Sequence, residues 1–181
     1  RFKKEKFKKL YEDGLLYRGE KMVNWDPMIR SAISDLEVAE KEVEGHLWYI
    51  KYMLEDSSEF IEVATTRPET IFGDTAVAVH PDDKRYKRFV GRNVIVPLTE
   101  RVIPVIADKY ADPRKGSGAV KITPAHDFND FEVGKRHKLP VIDIMNANGE
   151  LNNNVPDIFQ RLDRFEARKL VIDLLEKKEL L

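Results

Sequence analysis

The sequence predicts an α+β protein that is mainly β: a β-barrel surrounded by peripheral helices. Two observations carry this expectation. From Tyr17 to about Ile122 the chain consists of short runs of β-branched and aromatic residues, separated by Asp-Pro, Asp-Ser-Ser, Gly-Asp and Gly-Arg-Asn punctuation. Many short strands divided in this way curl into barrels. At both ends the apolar spacing changes to a helical period, and no internal repeat is apparent.

In chain order, Phe2, Phe7, Leu10, Tyr11 and Leu15 approximate one helical face, with Gly14 where a helix could end. The runs "KMVNW", "LEVAEKEV", "HLWYIKYML", "FIEVATT", "TAVAV", "NVIVPL", "VIPVIA" and "AVKIT" read as strands. Two spacers, "DDKRYKRF" and "DFNDFEVGKRHK", read as helical insertions. After "PVIDIMN" comes a polar Asn/Gly loop, "NANGELNNN", and Leu162, Phe165, Leu170, Leu174 and Leu175 give a C-terminal helix an apolar stripe. The expected organisation is one domain over 1–181, with 1–35 and 155–181 as connecting or helical segments around a barrel core of about 36–150.

Composition narrows the chemistry. The 181 residues carry a net charge of -1 although 35% are charged, so any nucleic-acid contact must be local rather than a uniform basic coat. The absence of cysteine removes disulfides, thiolate zinc sites and a cysteine nucleophile, and is compatible with a reducing cytosol. No run of about eighteen apolar residues predicts a membrane span. A start at Arg1 rather than methionine reads as an excised piece.

Two segments invite a chemical reading. In "VATTRPETIFGD", Thr65 and Thr66 close a strand, Arg67 is pushed to an extended conformation by Pro68, and Thr70 follows in the turn. In "GSGAVKITPAHDFND", strand alternation puts Lys121 and Thr123 on one face, and Pro124 stops the strand. His126, Asp127 and Asp130 come next. A helix starting near Asp127 would use that residue as its cap and place Asp130 at the reciprocal capping-box position. Capping alone explains both aspartates. Yet a helix N-terminus also fixes ligands, so capping and chemistry are compatible.

Other chemistries lack their signatures. "GSG" opens a strand and misses a glycine of the dinucleotide fingerprint, Gly-x-Ser-x-Gly is absent, and no His-Glu-x-x-His helix accompanies His126 beside Asp127, the other histidines His46, His80 and His137 being dispersed. The lysine-rich runs "RFKKEKFKK" and "KRYKR" read as solvated faces first and phosphate contacts second.

Taken in order, "NWDP", "AISDLEV", "ATTRPET", "GDTAVAV", "GSGAVKITPAHDFNDFEVGKRH" and "LDRFEARK" resemble the inserted editing domain of the valyl-tRNA synthetase family, from about Leu10 to Leu181. Isoleucyl and leucyl synthetases carry related insertions. The pairing of "AISDLEV" with Lys-Ile-Thr before "PAHDFNDFEVG" is similar to the valyl branch. The resemblance implies a class I synthetase editing-domain-like barrel that hydrolyses mischarged threonyl-tRNA with a positioned water, in the cytoplasm. Its partners would be the acceptor end of the valine tRNA carrying threonine and the rest of the synthetase in cis, with no membrane.

The hydrolysis itself implies no cofactor and no metal. ATP and magnesium belong to a separate synthetic domain that ligates valine, and neither His-x-Gly-His nor Lys-Met-Ser-Lys-Ser occurs here. By the same resemblance Asp130 captures the substrate ammonium, and Asp127 with Lys121 and Thr123 recognises the side-chain hydroxyl. Arg67 with Thr65, Thr66 and Thr70 orients the ester and terminal adenosine, with His126 among the binding residues. Two alternatives stay open: an isoleucyl-type editing domain, and a tRNA-binding barrel without catalysis.

Overall fold

The computed structural model describes residues 2–181, so the expectation attached to Arg1 lies outside them. Helix α1 (Phe2–Glu12) forms where the helical face was read and ends at Gly14, whose φ of +70° suits a residue without Cβ. Its apolar residues Phe7, Leu10 and Tyr11 are all exposed. Strands β1 (Asn24–Asp26) and β2 (Ser31–Ile33) pair as a small hairpin. "LEVAEKEV" forms no strand, because its residues are exposed and have no face to bury.

The remaining strands are β3 (Trp48–Met53), β4 (Phe60–Thr65), β5 (Ala76–Val79), β6 (Asn93–Ile95), β7 (Val102–Ala107) and β8 (Ala119–Ile122). β3 and β4 alternate buried and less buried positions, as strands with one core face do. β5 is buried throughout and separates two cores. Val77 and Val79 join the main cluster with Ile50, Ile61 and Phe72, whereas Ala76 and Ala78 face Ile122 and Val133. Small residues on that second face admit helix α2 (Phe128–His137). Its Gly134 leaves room for Pro124, since a Cβ there would come within 2.9 Å of the proline ring. Helix α3 (Arg164–Lys177) buries Ala167, Val171 and Leu175, spaced four apart, while Phe165 of the expected stripe is exposed. "DDKRYKRF" contributes only turns and a short 3-10 segment, Lys87–Phe89.

The barrel expected from the strand pattern does not close. Ladder pairing gives a β1-β2 sheet, a β3-β4 sheet and a four-stranded sheet ordered β6-β7-β5-β8, with β5 and β7 parallel. At one seam β3 meets β6 through a single bridge, Leu54 with Val94. At the other, β4 lies against β8 with no ladder between them. Two local features account for the second seam. Pro68 has no N–H to extend pairing beyond β4, and the positive φ of Gly116 and Gly118 bends the chain as it enters β8.

Gly116 also lets that bend touch β4, because a Cβ on it would sit 2.6 Å from the Cβ of Ala64. Gly116→Ala is therefore expected to wedge the seam and cost about 1–3 kcal/mol. A thermal melt of the variant checks this, and an unchanged Tm would contradict the contact.

Candidate functional site

The β4/β8 seam holds a cleft of about 220 Å³, lined by all nine residues the sequence singled out: Thr65, Thr66, Arg67, Thr70, Lys121, Thr123, His126, Asp127 and Asp130. Each wall has its own local cause. The end of β4 and the 3-10 turn Pro68–Gly73 supply Thr65 to Thr70. β8 supplies Lys121, and Thr123 follows on the same face. The start of α2 supplies the aspartates.

Asp127 is the helix cap, as its position predicted: one carboxylate oxygen accepts the N–H groups of Asn129 at 2.8 Å and Asp130 at 3.0 Å. The reciprocal half of the capping box does not form. Asp130 turns instead to the backbone N–H of Thr123 at 2.9 Å, which ties α2 to the end of β8. It is buried, and that burial pushes its carboxyl up to about 6 against the pull of the Thr123 N–H and the Lys121 ammonium. Burial and the neighbouring Asp130 and Asp127 likewise push the Tyr110 hydroxyl up.

Lys121 is 7% exposed and its ammonium is fully engaged within the protein. It donates to Thr70 Oγ1 at 2.7 Å, to Asp74 Oδ1 at 3.0 Å, and to Thr123 Oγ1. An ammonium has three N–H bonds, so none remains for the substrate hydroxyl assigned to Lys121 by resemblance. Asp74, fully buried, also accepts from Thr123 Oγ1 at 2.6 Å and from Tyr52 Oη at 2.6 Å. Burial pushes the Asp74 carboxyl up, and Lys121, Thr123 and Tyr52 hold it back.

Arg67 donates to the carbonyl of His126 at 2.7 Å and passes 3.5 Å from Glu69, leaving its side chain 42% exposed at the mouth. Glu69 is fully buried and receives Arg168 of α3 through two bonds of 2.7 and 2.8 Å. Thr65 Oγ1 accepts the N–H of Arg67 at 3.1 Å, Thr70 Oγ1 donates to the Arg67 carbonyl at 2.9 Å, and Thr66 sits exposed at the rim. His126 is held neutral. Burial pushes its imidazole down to about 4, and Nε2 accepts the N–H of Ile144 at 3.1 Å.

Arg67 and His126 also line a second, adjoining cleft of about 620 Å³ that includes Trp25, Phe128 and Arg164. In the "KRYKR" run, Arg85 pairs with Asp83 and Arg88 with Glu59, so their charges are locally compensated. Among the described residues no helix is long and apolar enough to cross a membrane.

Sequence reasoning passed over Asp74, Glu69 and Tyr52. Asp74 and Glu69 stand in the quoted "RPETIFGD", but an acidic residue beside Pro or Gly reads as a turn residue until its distant partners are known. Tyr52 carried no signal beyond its strand.

The family model described as "tRNA synthetases class I (I, L, M and V)" matches residues 2–168. The valine–tRNA ligase of Coxiella burnetii (strain RSA 493 / Nine Mile phase I) is 56% identical over 177 residues, 98% of this chain and 19% of its own length. That of Legionella pneumophila (strain Paris) is 58% identical over 175 residues, 97% of this chain and 19% of its own. The Geobacillus stearothermophilus relative is 57% identical over 178 residues, 98% of this chain and 20% of its own. The chain thus spans about a fifth of the curated relatives it matches. In fold it is similar to a LeuRS from Agrobacterium radiobacter K84 solved as a ternary complex with tRNA and LeuAMS, with a TM-score of 0.59 and 22% identity over 73% of this chain and 19% of that one. The chain belongs to the class I tRNA synthetases (I, L, M and V), and the sequence relatives named here are valine–tRNA ligases.

Proposed function

We propose that this chain is the editing domain of a valyl-tRNA synthetase, and that it hydrolyses the ester of threonine mischarged onto the valine tRNA. One observation carries the reading: a single cleft brings Arg67, Lys121, Thr123, Asp127 and Asp130 together, so acceptors for an amine and an alcohol stand beside a guanidinium. Valine and threonine are near isosteres. The valyl enzyme is itself the standard illustration of this difficulty: its apolar synthetic pocket rejects threonine only about a hundredfold. A second site must select for the hydroxyl. An aliphatic tail would leave buried polar groups unmatched, costing about 1–3 kcal/mol, or roughly five- to 150-fold.

In this reading Asp130 receives the α-ammonium as a charge-assisted pair. Thr123 and Asp127 meet the side-chain hydroxyl, Lys121 supports them, and the exposed edge of Arg67 steadies the ester and its developing oxyanion. Thr65, Thr66, Thr70 and the His126 backbone shape this mouth. The terminal adenosine lies in the adjoining larger cleft, which shares Arg67 and His126 with the first. Water attacks the ester carbonyl, the bond to the ribose oxygen breaks, and that oxygen leaves with a proton. An aminoacyl ester is already activated, so positioning suffices without a protein nucleophile. ATP and magnesium serve valine ligation elsewhere in the cytoplasmic enzyme and take no part in this step.

The test uses the full-length polypeptide that carries this chain, with threonyl- and valyl-tRNA as substrates. Expected are loss of the threonyl ester, survival of the valyl ester, and no effect of a chelator. Because the carboxylate form of Asp130 binds the ammonium, kcat/KM for threonyl-tRNA should fall as pH drops through about 6. Equal loss of both esters, or of neither, would overturn the assignment.

A further inference from the structure

Thr123 Oγ1 donates its single hydrogen to Asp74 at 2.6 Å and accepts from Lys121. Thr70 Oγ1 donates to the Arg67 carbonyl at 2.9 Å and accepts from Lys121 at 2.7 Å. A hydroxyl has one hydrogen and two lone pairs, so each threonine keeps one lone pair and no hydrogen. The neighbouring carboxylates of Asp127 and Asp130 add only acceptors. The wall formed by Thr70, Lys121, Thr123, Asp127 and Asp130 can therefore receive hydrogen bonds but has none to give.

Asp74 fixes that polarity from behind, without lining the cleft. It is fully buried. Tyr52 donates to its other carboxylate oxygen at 2.6 Å, and Arg101 holds its carbonyl at 3.0 Å. We propose that Asp74 is a positioning residue that sets specificity: by engaging the Thr123 hydrogen and one Lys121 N–H, it makes this wall of the cleft accept side chains that donate a hydrogen bond and refuse isosteres offering only a lone pair. The inference rests on the editing reading above. It adds that recognition has a direction, from substrate donor to protein acceptor.

The test compares valine tRNA charged with threonine, valine, 2-amino-3-fluorobutyrate and 2,3-diaminobutyrate, using the full-length polypeptide. Fluorine replaces the hydroxyl at similar size without a hydrogen, whereas the amine retains donors. The fluoro ester should be hydrolysed about 10- to 100-fold more slowly than the threonyl ester, and the diamino ester at a rate within about tenfold of it. A fluoro ester lost as fast as the threonyl ester, with the valyl ester spared, would overturn this proposal while leaving the editing reading intact. A threonyl ester that survives would overturn both.

Asp74→Ala frees the Thr123 hydrogen and one Lys121 N–H, and should narrow the threonyl-to-fluoro ratio by about tenfold. Asp74→Asn keeps an oxygen facing Lys121 and Thr123 and should restore the wild-type ratio. If Asp74→Ala lowers all rates together with the ratio unchanged, Asp74 is merely structural and the proposal fails. Should that variant not fold, the wild-type series still decides.

Discussion

Asp130→Ala should lower single-turnover hydrolysis of threonyl-tRNA by about 10²- to 10³-fold, the effect of truncating one partner of a buried charge pair. The companion Asp130→Asn should lose activity similarly yet make the protein more stable. Asn can still accept the Thr123 N–H that Asp130 now accepts at 2.9 Å, and it removes a charge that burial disfavours. The sign follows from linkage. With its carboxyl pushed from 3.8 to about 6, the folded state binds more protons than the unfolded chain across that window, so stability falls as pH rises through it. Above about pH 6 the cost is constant, at 1.36 kcal/mol per pH unit on the order of 3 kcal/mol. A melt at pH 7 should thus favour Asn by about 1–3 kcal/mol, and the gain should vanish near pH 4. Retained turnover in either variant would remove Asp130 from its role.

The second large effect concerns stability. Lys121→Met would leave Asp74, which has no solvent exposure, without its cation. Breaking a buried pair from one side costs about 3–5 kcal/mol, or a Tm lower by about 10 °C in a domain of this size. The loss should carry a pH signature. Without Lys121 the Asp74 carboxyl rises further, so the folded variant holds a proton that the unfolded chain releases, and the deficit at pH 7 should shrink at pH 5. The double change Lys121→Met with Asp74→Asn should recover most of the loss. A deficit of equal size at both pH values would mean that packing of the lysine stem, rather than charge, is what matters.

These two residues also mark the boundary of what the sequence discloses. Strand alternation placed Lys121 and Thr123 together, helix-cap chemistry located Asp127, and Pro68 marked the turn after β4, although Arg67 takes φ −131° and ψ 67° rather than the extended conformation expected of it. Each of these depends on neighbours within a few positions. Asp74 escaped notice because its meaning lies in Tyr52, 22 residues earlier, and Lys121, 47 residues later. The barrel expectation erred for a related reason. Strand propensity counts strands, while closure depends on whether the last edges can pair, and a proline after β4 and two bent glycines before β8 prevent that. The run "LEVAEKEV" misled in the opposite sense, since β-branched residues among exposed charges had no core to join.

The gap between β4 and β8 behaves like the jaws of a gauge. One end of the opening is set by Gly116 resting on Ala64, and the other by the guanidinium of Arg67 clasping the backbone at His126. One stop is a glycine against a side-chain methyl and the other a side chain on a carbonyl, so the width of the opening depends on both. If the chain edits as proposed, this opening adds a limit on side-chain size to the matching of polarity.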